Sequence, residues 1–364
     1  MNVFALTFAL MLAIVLLELL ALRHWRKEAI PWHEIVFNLN SGHILMWALR
    51  GVEVAMFGWL LTHANLHLVD RLPLYAQWLV AIVGWDLSFY CMHRAHHRWP
   101  LLWAVHRVHH QGEHFSLSLG IRNSWYSSLT SLLFVAPLAV LGLPLELFVA
   151  ASSFHYAVQL YNHNAFVGRS GWLEGLLVTP AAHRVHHATH PLYLNRNFGG
   201  TFLLWDRCFG SYQPPRDDVP LVYGVPGSAA SFNPLLASNP WLAAWSWPWS
   251  RAGKSDAGWQ ISGSYIACGA VLLFGWVIYY VQMTGSFTLW QQWSLFGALL
   301  AGTLALGAMS DRQRLGWWAW QLLALGLPLA CGMLLGLRDT AALVLSALLL
   351  LHGVLGWRRA EVVV

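Results

Sequence analysis

The 364-residue chain has little charge: Asp, Glu, Lys and Arg together make up 10% of it, against roughly 25% in soluble globular domains. That scarcity excludes an ordinary water-soluble domain. Cysteine is sparse as well. Cys91, Cys208, Cys268 and Cys331 stand far apart with no CxxC pair, which argues against a disulfide framework or a thiolate metal site. Internal repeats and low-complexity tracts are missing. The formal net charge of +5 comes from Arg and Lys scattered singly between apolar segments. Such scatter suits topology control and lipid headgroups, and no nucleic acid partner is expected.

What the chain does contain is apolar. Hydrophobic residues make up 57%, and 23 residues are tryptophan, whose indole favours the membrane–water boundary. The expected fold is all-α: a polytopic membrane helical bundle with a cytoplasmic-face, histidine-rich helical cap that holds a dimetal site. About 20 apolar residues span a bilayer as a helix. Candidate spans are Val3–Leu22, Ile44–Thr62, Leu74–Met92, Tyr126–Gly142, Leu145–Tyr161, Ile261–Gln282, Leu289–Met309, Trp317–Leu337 and Thr340–Trp357. The first lacks preceding basic residues and a cleavage signature, so it reads as an uncleaved anchor. The fourth and fifth, joined by Gly142-Leu143-Pro144, are either two crossings or a hairpin; both return the chain to the side it left.

Basic residues orient the spans. Arg23, Arg26 and Lys27 place the loop after the first span in the cytoplasm. The third span then delivers residues 93–110 to that face, in agreement with Arg94, Arg98, Arg107 and Arg122, and with Arg184, Arg196, Arg207, Arg251 and Lys254 further on. Arg312, Arg314, Arg358 and Arg359 also fall inside. The expected setting is a bacterial inner membrane or an endoplasmic reticulum membrane. Two regions are expected. Residues 1–258 hold every histidine cluster, and 259–364 form four apolar helices with the single histidine His352. The tract NPWLAAWSWPWSRAGK between them suits a segment lying at the interface.

The stretch HRAHHRWPLLWAVHRVHH, His93 to His110, ends the third span. His93 and His97 are four apart, as are His106 and His110, with His109 between. A helix puts such pairs on one face, one turn above the next. The stretch TPAAHRVHHATH repeats the pattern with His183, His186 and His187 and adds His190, and His163 lies between the two in QLYNHNAF. Neutral imidazoles bind borderline metals without adding negative charge near the membrane. Eight or more nitrogens exceed the needs of one ion, so two metals are implied. Metals with open positions can activate oxygen, which side chains do not do unaided. Lone histidines are usually hydrogen-bonded packing residues, and His24, His33, His43, His63, His67 and His352 are read that way. His96, His114 and His155 are weaker ligand candidates.

The tract WDLSFYCMHRAHHRWPLLWAVHRVHH resembles the first signature of the fatty acid hydroxylase/sterol desaturase superfamily, and TPAAHRVHHATHPLYLNRNFGGTFLLWDRCFGSY resembles its last. The resemblance covers roughly residues 80–215. LGIRNSW, QLYNH and NRNFGG are similar to the alkylglycerol monooxygenase branch and its bacterial relatives. The resemblance implies a non-haem di-iron, O2-dependent enzyme acting on a membrane lipid. The implied iron ligands, which are also the catalytic residues, are His93, His97, His106, His109, His110, His163, His183, His186 and His187. The same nitrogens can accept zinc in place of iron when the protein is isolated. Gln159 stands where some members carry another histidine. Arg98 stands where the branch has an acidic residue tied to tetrahydrobiopterin, which argues against that reductant. With no HPGG tract of the cytochrome b5 type, a separate electron-donor protein or small reductant is expected.

Asp86, Tyr90, His93 and His97 follow i, i+4, i+7, i+11 spacing and line one helix face. A carboxylate within a span is expensive, so Asp86 is expected either to orient a ligand ring through its second N–H or to pair with an arginine or a capped polar contact. Gln159, His190 and Asn197 are further supporting candidates, and Glu113 is a weaker one. Asp206 is expected to cap or pair locally. Arg50 and Glu53, three apart in the second span, are expected to pair. The expected reaction is hydroxylation or desaturation of a lipid C–H bond. The alternative is a histidine-rich metal carrier or sensor without oxygen chemistry.

Overall fold

A computed structural model of the chain describes residues 2–41, 43–227, 231–244, 256 and 258–357. The helices are α1 (Val3–Trp25), α2 (Trp32–Asn40), α3 (His43–His63), α4 (Leu74–Arg98), α5 (Pro100–His110), α6 (Ser127–Val140), α7 (Leu145–Asn162), α8 (Pro180–His187), α9 (Leu204–Cys208), α10 (Pro234–Ser238), α11 (Gly263–Met283), α12 (Leu289–Ser310), α13 (Arg314–Met333) and α14 (Thr340–Trp357). Among the described residues no strand forms; an isolated bridge joins Leu177 and Phe202. The fold is all-α, as the apolar runs require.

Among the described residues six segments are long and apolar enough to cross a membrane: Val3–Trp25, Trp32–His63, Gly263–Ser286, Leu289–Ser310, Arg314–Met333 and Thr340–Trp357. The protein is an integral, multi-pass membrane protein. The spans expected at 74–92, 126–142 and 145–161 are helices of a different kind. α4 ends in His96, His97 and Arg98, and α7 carries His155 and Gln159, so both trade apolar character for polar side chains. α6 has 14 residues, about 21 Å of rise, short of the roughly 30 Å hydrocarbon core. That length favours the hairpin reading of α6 and α7. Gly142, between them, has φ +91°, and a Cβ there would lie 2.4 Å from Asn65 Oδ1.

The chain divides into two compact units, Leu45–Ser228 and Met1–Ile44 with Ala229–Val364. Compactness thus groups the first 44 residues with the C-terminal helices, whereas histidine content draws its line at 258. In the second unit, α11 packs against α1, α2, α12 and α14, and α13 packs against α12 and α14. Its core is built on Trp276, Trp320, Leu306 and Leu273. His352 is fully satisfied there: Trp320 Nε1 donates to Nδ1 at 3.0 Å, and Nε2 donates to the Tyr265 carbonyl at 2.9 Å. Much of the Trp-rich link, from residue 245 to 255, lies outside the described residues, as do Arg358 and Arg359.

In the histidine-bearing unit α4 is central and packs against α5, α6 and α7. Phe57 stacks on Phe148 at 3.9 Å, and Trp85 meets Phe148 edge-on. Arg50 and Glu53 pair as their spacing implies. Ser131 Oγ donates to Glu53 at 2.8 Å, and the Arg50 guanidinium lies over the Tyr156 ring at 5.3 Å. Large apolar side chains such as Leu133 and Leu79 face outward, as lipid-facing positions do.

Candidate metal centre

Two proline-started helices bring the imidazoles together. Trp99 is extended (φ −103°, ψ 124°) because Pro100 follows it, and Pro100 opens α5 at its first helical position. The chain therefore turns sharply after α4, and His106 Nε2 reaches His93 Nε2 at 3.0 Å. α8 starts the same way with Pro180 after Thr179, whose side chain accepts from the Ala182 N–H. His163 sits at the C-cap of α7.

All nine expected ligand residues converge in two groups. Group A is His93, His97, His106, His110 and His186; group B is His109, His163, His183 and His187. Within each group the candidate ligand atoms lie within 4.8 Å of one another. In group A, His110 Nε2 is 3.1 Å from the Nε2 atoms of both His106 and His186. In group B, His163 Nε2 is 3.0 Å from that of His183 and 3.2 Å from those of His109 and His187.

The short separation between His163 and His109 is not a hydrogen bond. His93 Nδ1 lies 2.9 Å from the Phe198 carbonyl, His186 Nδ1 2.9 Å from that of Arg196, His109 Nδ1 2.9 Å from that of Arg122, and His163 Nδ1 2.7 Å from that of Gln159. A carbonyl only accepts, so the proton sits on Nδ1 and each Nε2 presents a lone pair. His163 and His109 therefore face each other with two lone pairs and no proton between them, an arrangement that a cation satisfies. Ligand nitrogens about 2.0–2.1 Å from a metal are roughly 3.0–3.4 Å apart, the spacing seen here. The neutral all-nitrogen set fits a borderline divalent metal such as iron or zinc.

Burial reinforces the neutral form. Loss of water, followed by neighbouring imidazoles, pushes His93, His97, His106, His110, His163, His183 and His187 well below the ordinary histidine range. Burial brings His109 down to about 4 and His186 to about 3.

The supporting candidates fall into distinct places. Asp86 accepts from Thr201 N–H at 2.7 Å, Phe202 N–H at 3.3 Å and Trp205 Nε1 at 2.9 Å. It is 3.6 Å from His155 Nδ1, so its imidazole neighbour lies outside the nine. Tyr90 bonds Ser211 at 2.8 Å and accepts from Arg94 at 2.9 Å. Gln159 lends its carbonyl to His163 and donates its side chain to the Gly200 carbonyl at 2.7 Å. A Cβ on Gly200 would sit 2.0 Å from His155 Cε1, so only glycine fits. Asn197, at φ +55°, donates to the Ala182 and Gln213 carbonyls at 3.0 and 2.8 Å. His190 closes its own turn by accepting from Leu192 N–H at 3.2 Å and stands apart from both groups. His96 bonds Thr130 at 2.9 Å. Asp206 caps locally, accepting from Phe198 N–H, Gly199 N–H and Ser211 Oγ at 2.7–2.8 Å.

Sequence reasoning missed the backbone carbonyls of Arg122, Arg196 and Phe198, which carry no residue signature. The NFG and WD tracts hold two of them in place. Asn197 ties the loop to α8, while Asp206 ties it to its own turn and Asp86 ties it to α4.

Residues 78–211 match the family model described as fatty acid hydroxylase, so the resemblance carried by the histidine signatures holds over that segment. Among individual relatives, the chain is similar to alkylglycerol monooxygenase of Xenopus tropicalis, at 29% identity over 66% of this chain and 54% of the relative. It is also similar to the protein of that name from Danio rerio, at 31% identity over 61% and 50%, and to ornithine lipid hydroxylase OlsE of Rhizobium tropici, at 28% identity over 51% and 54%. The chain spans about half the length of these curated relatives. No solved structure matches.

Proposed function

We propose that the chain is a membrane-bound oxygenase that hydroxylates, or desaturates, a C–H bond of a lipid, with two irons held by the nine imidazoles. The observation that carries this reading is the pair of imidazole clusters whose ligand atoms lie within 4.8 Å of one another, with the bare Nε2 lone pairs of His109 and His163 face to face in one of them. The similarity to lipid hydroxylases and monooxygenases supports the substrate class. A bound iron pair would supply activation of O2 and removal of a hydrogen atom from an inert C–H bond. The chain's own residues set the conditions. Backbone carbonyls hold the Nδ1–H of His93, His109, His163 and His186 so that those four Nε2 atoms stay aimed, and burial keeps the rings neutral. Group B is closed off, and group A opens at His97. The carbon presented to the site would decide between hydroxylation and desaturation. The arginines flanking α4 and α5 support a cytoplasmic-face site, and electrons would arrive from a separate protein or small reductant.

The test is metal analysis with O2 uptake on purified protein supplied with lipid and a reductant. Two metals per chain and lipid-dependent uptake are expected, with uptake lost in His109→Ala while the protein still inserts. Full activity in that variant refutes the reading. Two bound metals with no lipid-dependent uptake would favour the carrier or sensor instead.

A further inference from the structure

One pocket of about 210 Å³ opens onto group A and is lined by Arg94, His97, Arg98, Arg196, Phe198 and the Gly210–Ser211 turn. It differs from the larger apolar recess of about 570 Å³ between α4 and α6. That recess uses Val80, Gly84, Leu87 and Cys91, the spacing of Asp86, Tyr90, His93 and His97 shifted by six residues, which is about 120° round the helix. The smaller pocket is thus an approach to a metal-site ring, and it is basic.

Its three guanidiniums have no carboxylate partner among the described residues. Arg94 and Arg196 are anchored at one turn: Arg94 Nη1 donates to the Phe209 carbonyl at 3.5 Å and Arg196 Nη1 to the Gly210 carbonyl at 3.1 Å. Each fork keeps further N–H groups free. Arg196 is flanked by Asn195 and Asn197, both in the left-handed region. Its backbone carbonyl holds His186, and the Asn195 side chain hydrogen-bonds His97. Arginines at a helix C-terminus are ordinary partners of its dipole, but that dipole amounts to about half a negative charge. It cannot balance three guanidiniums on one recess. A lone carboxylate occupies one arginine fork; a phosphate has oxygens enough for several. The volume is below the roughly 300–1,000 Å³ of pockets that enclose a whole drug-sized ligand, and so is sized for a headgroup.

We propose that this pocket is a phosphate-binding subsite that seats a phosphate group beside His97. Its use in holding a substrate lipid rests on the oxygenase reading; the binding itself does not. The test uses full-length, metal-loaded protein in detergent. Short-chain phosphatidic acid, inorganic phosphate and short-chain diacylglycerol are titrated against the wild type and the Arg98→Glu/Arg196→Gln double variant. Phosphatidic acid is expected to bind and diacylglycerol to bind far more weakly. The double variant is expected to lose at least about tenfold in phosphate-dependent affinity while keeping wild-type metal content. Phosphatidic acid binding well above inorganic phosphate identifies a lipid headgroup as the source, and equal binding identifies free phosphate. Unchanged affinity in the double variant, as for phosphate held elsewhere or by the metal itself, overturns the proposal, as does equal binding of diacylglycerol. If the double variant does not fold, Arg98→Gln, at an exposed position, carries the same test. Because the titration needs no turnover, an absence of lipid oxidation would sink the oxygenase reading and leave the subsite standing.

Discussion

Groups A and B are built from the same two motifs with their roles exchanged. In α5 the outer histidines, His106 and His110, go to group A and the middle one, His109, to group B; in α8 His183 and His187 go to group B and His186 to group A. α4 then adds His93 and His97 to group A, whereas the end of α7 adds only His163 to group B. Four residues before His163 stands Gln159, whose side chain is spent on the Gly200 carbonyl. Group A therefore has five rings, two of them partly exposed, and group B has four, all buried. Four ligands close a metal site, and open positions are where chemistry occurs. On the proposed reading, the two halves of one centre need not have equal duties: group B would be the enclosed half, and group A the half a ligand can approach.

The comparison can be broken most directly by removing a ring from each group. His187→Ala leaves group B three nitrogens; lipid oxidation should vanish and bound metal should fall from two per chain to one or fewer, read by elemental analysis. His97→Ala leaves group A four nitrogens; the metal count should hold while turnover drops, and equal metal loss in both variants would erase the distinction. Asn197→Ala removes the side-chain link between the loop and α8, and a supporting contact of this kind is worth about 10–100-fold in metal affinity, measurable by chelator competition. The smallest effect on the centre should come from His352→Phe. It strands the Trp320 N–H at a cost of about 1–3 kcal/mol in stability, visible in thermal unfolding, with metal content unchanged.

Much of this was legible in the chain. The nine rings lie in short, local motifs, and the helices follow from long apolar runs. The partition between groups was not legible. Consecutive residues on a helix point about 100° apart, so His109 and His110 must diverge, but what each meets depends on how α8 lies against α5. Asp86 shows the same limit. A carboxylate in an apolar helix had to find donors, yet its partners are supplied by residues 201–205, more than a hundred positions away. Apolarity alone points to spans at 126–142 and 145–161, and it does not see that a helix carrying the site gives up length or hydrophobicity to do so.

The exchange of roles between α5 and α8 has a consequence for how the centre fills. Each helix lends nitrogens to both clusters, so if both take up metal as proposed, the first ion to settle would clamp the pair and prepay the ordering cost of the second. Uptake should then be steep in metal concentration. A cell short of metal would then hold a mixture of empty molecules and molecules carrying two ions, with few caught halfway.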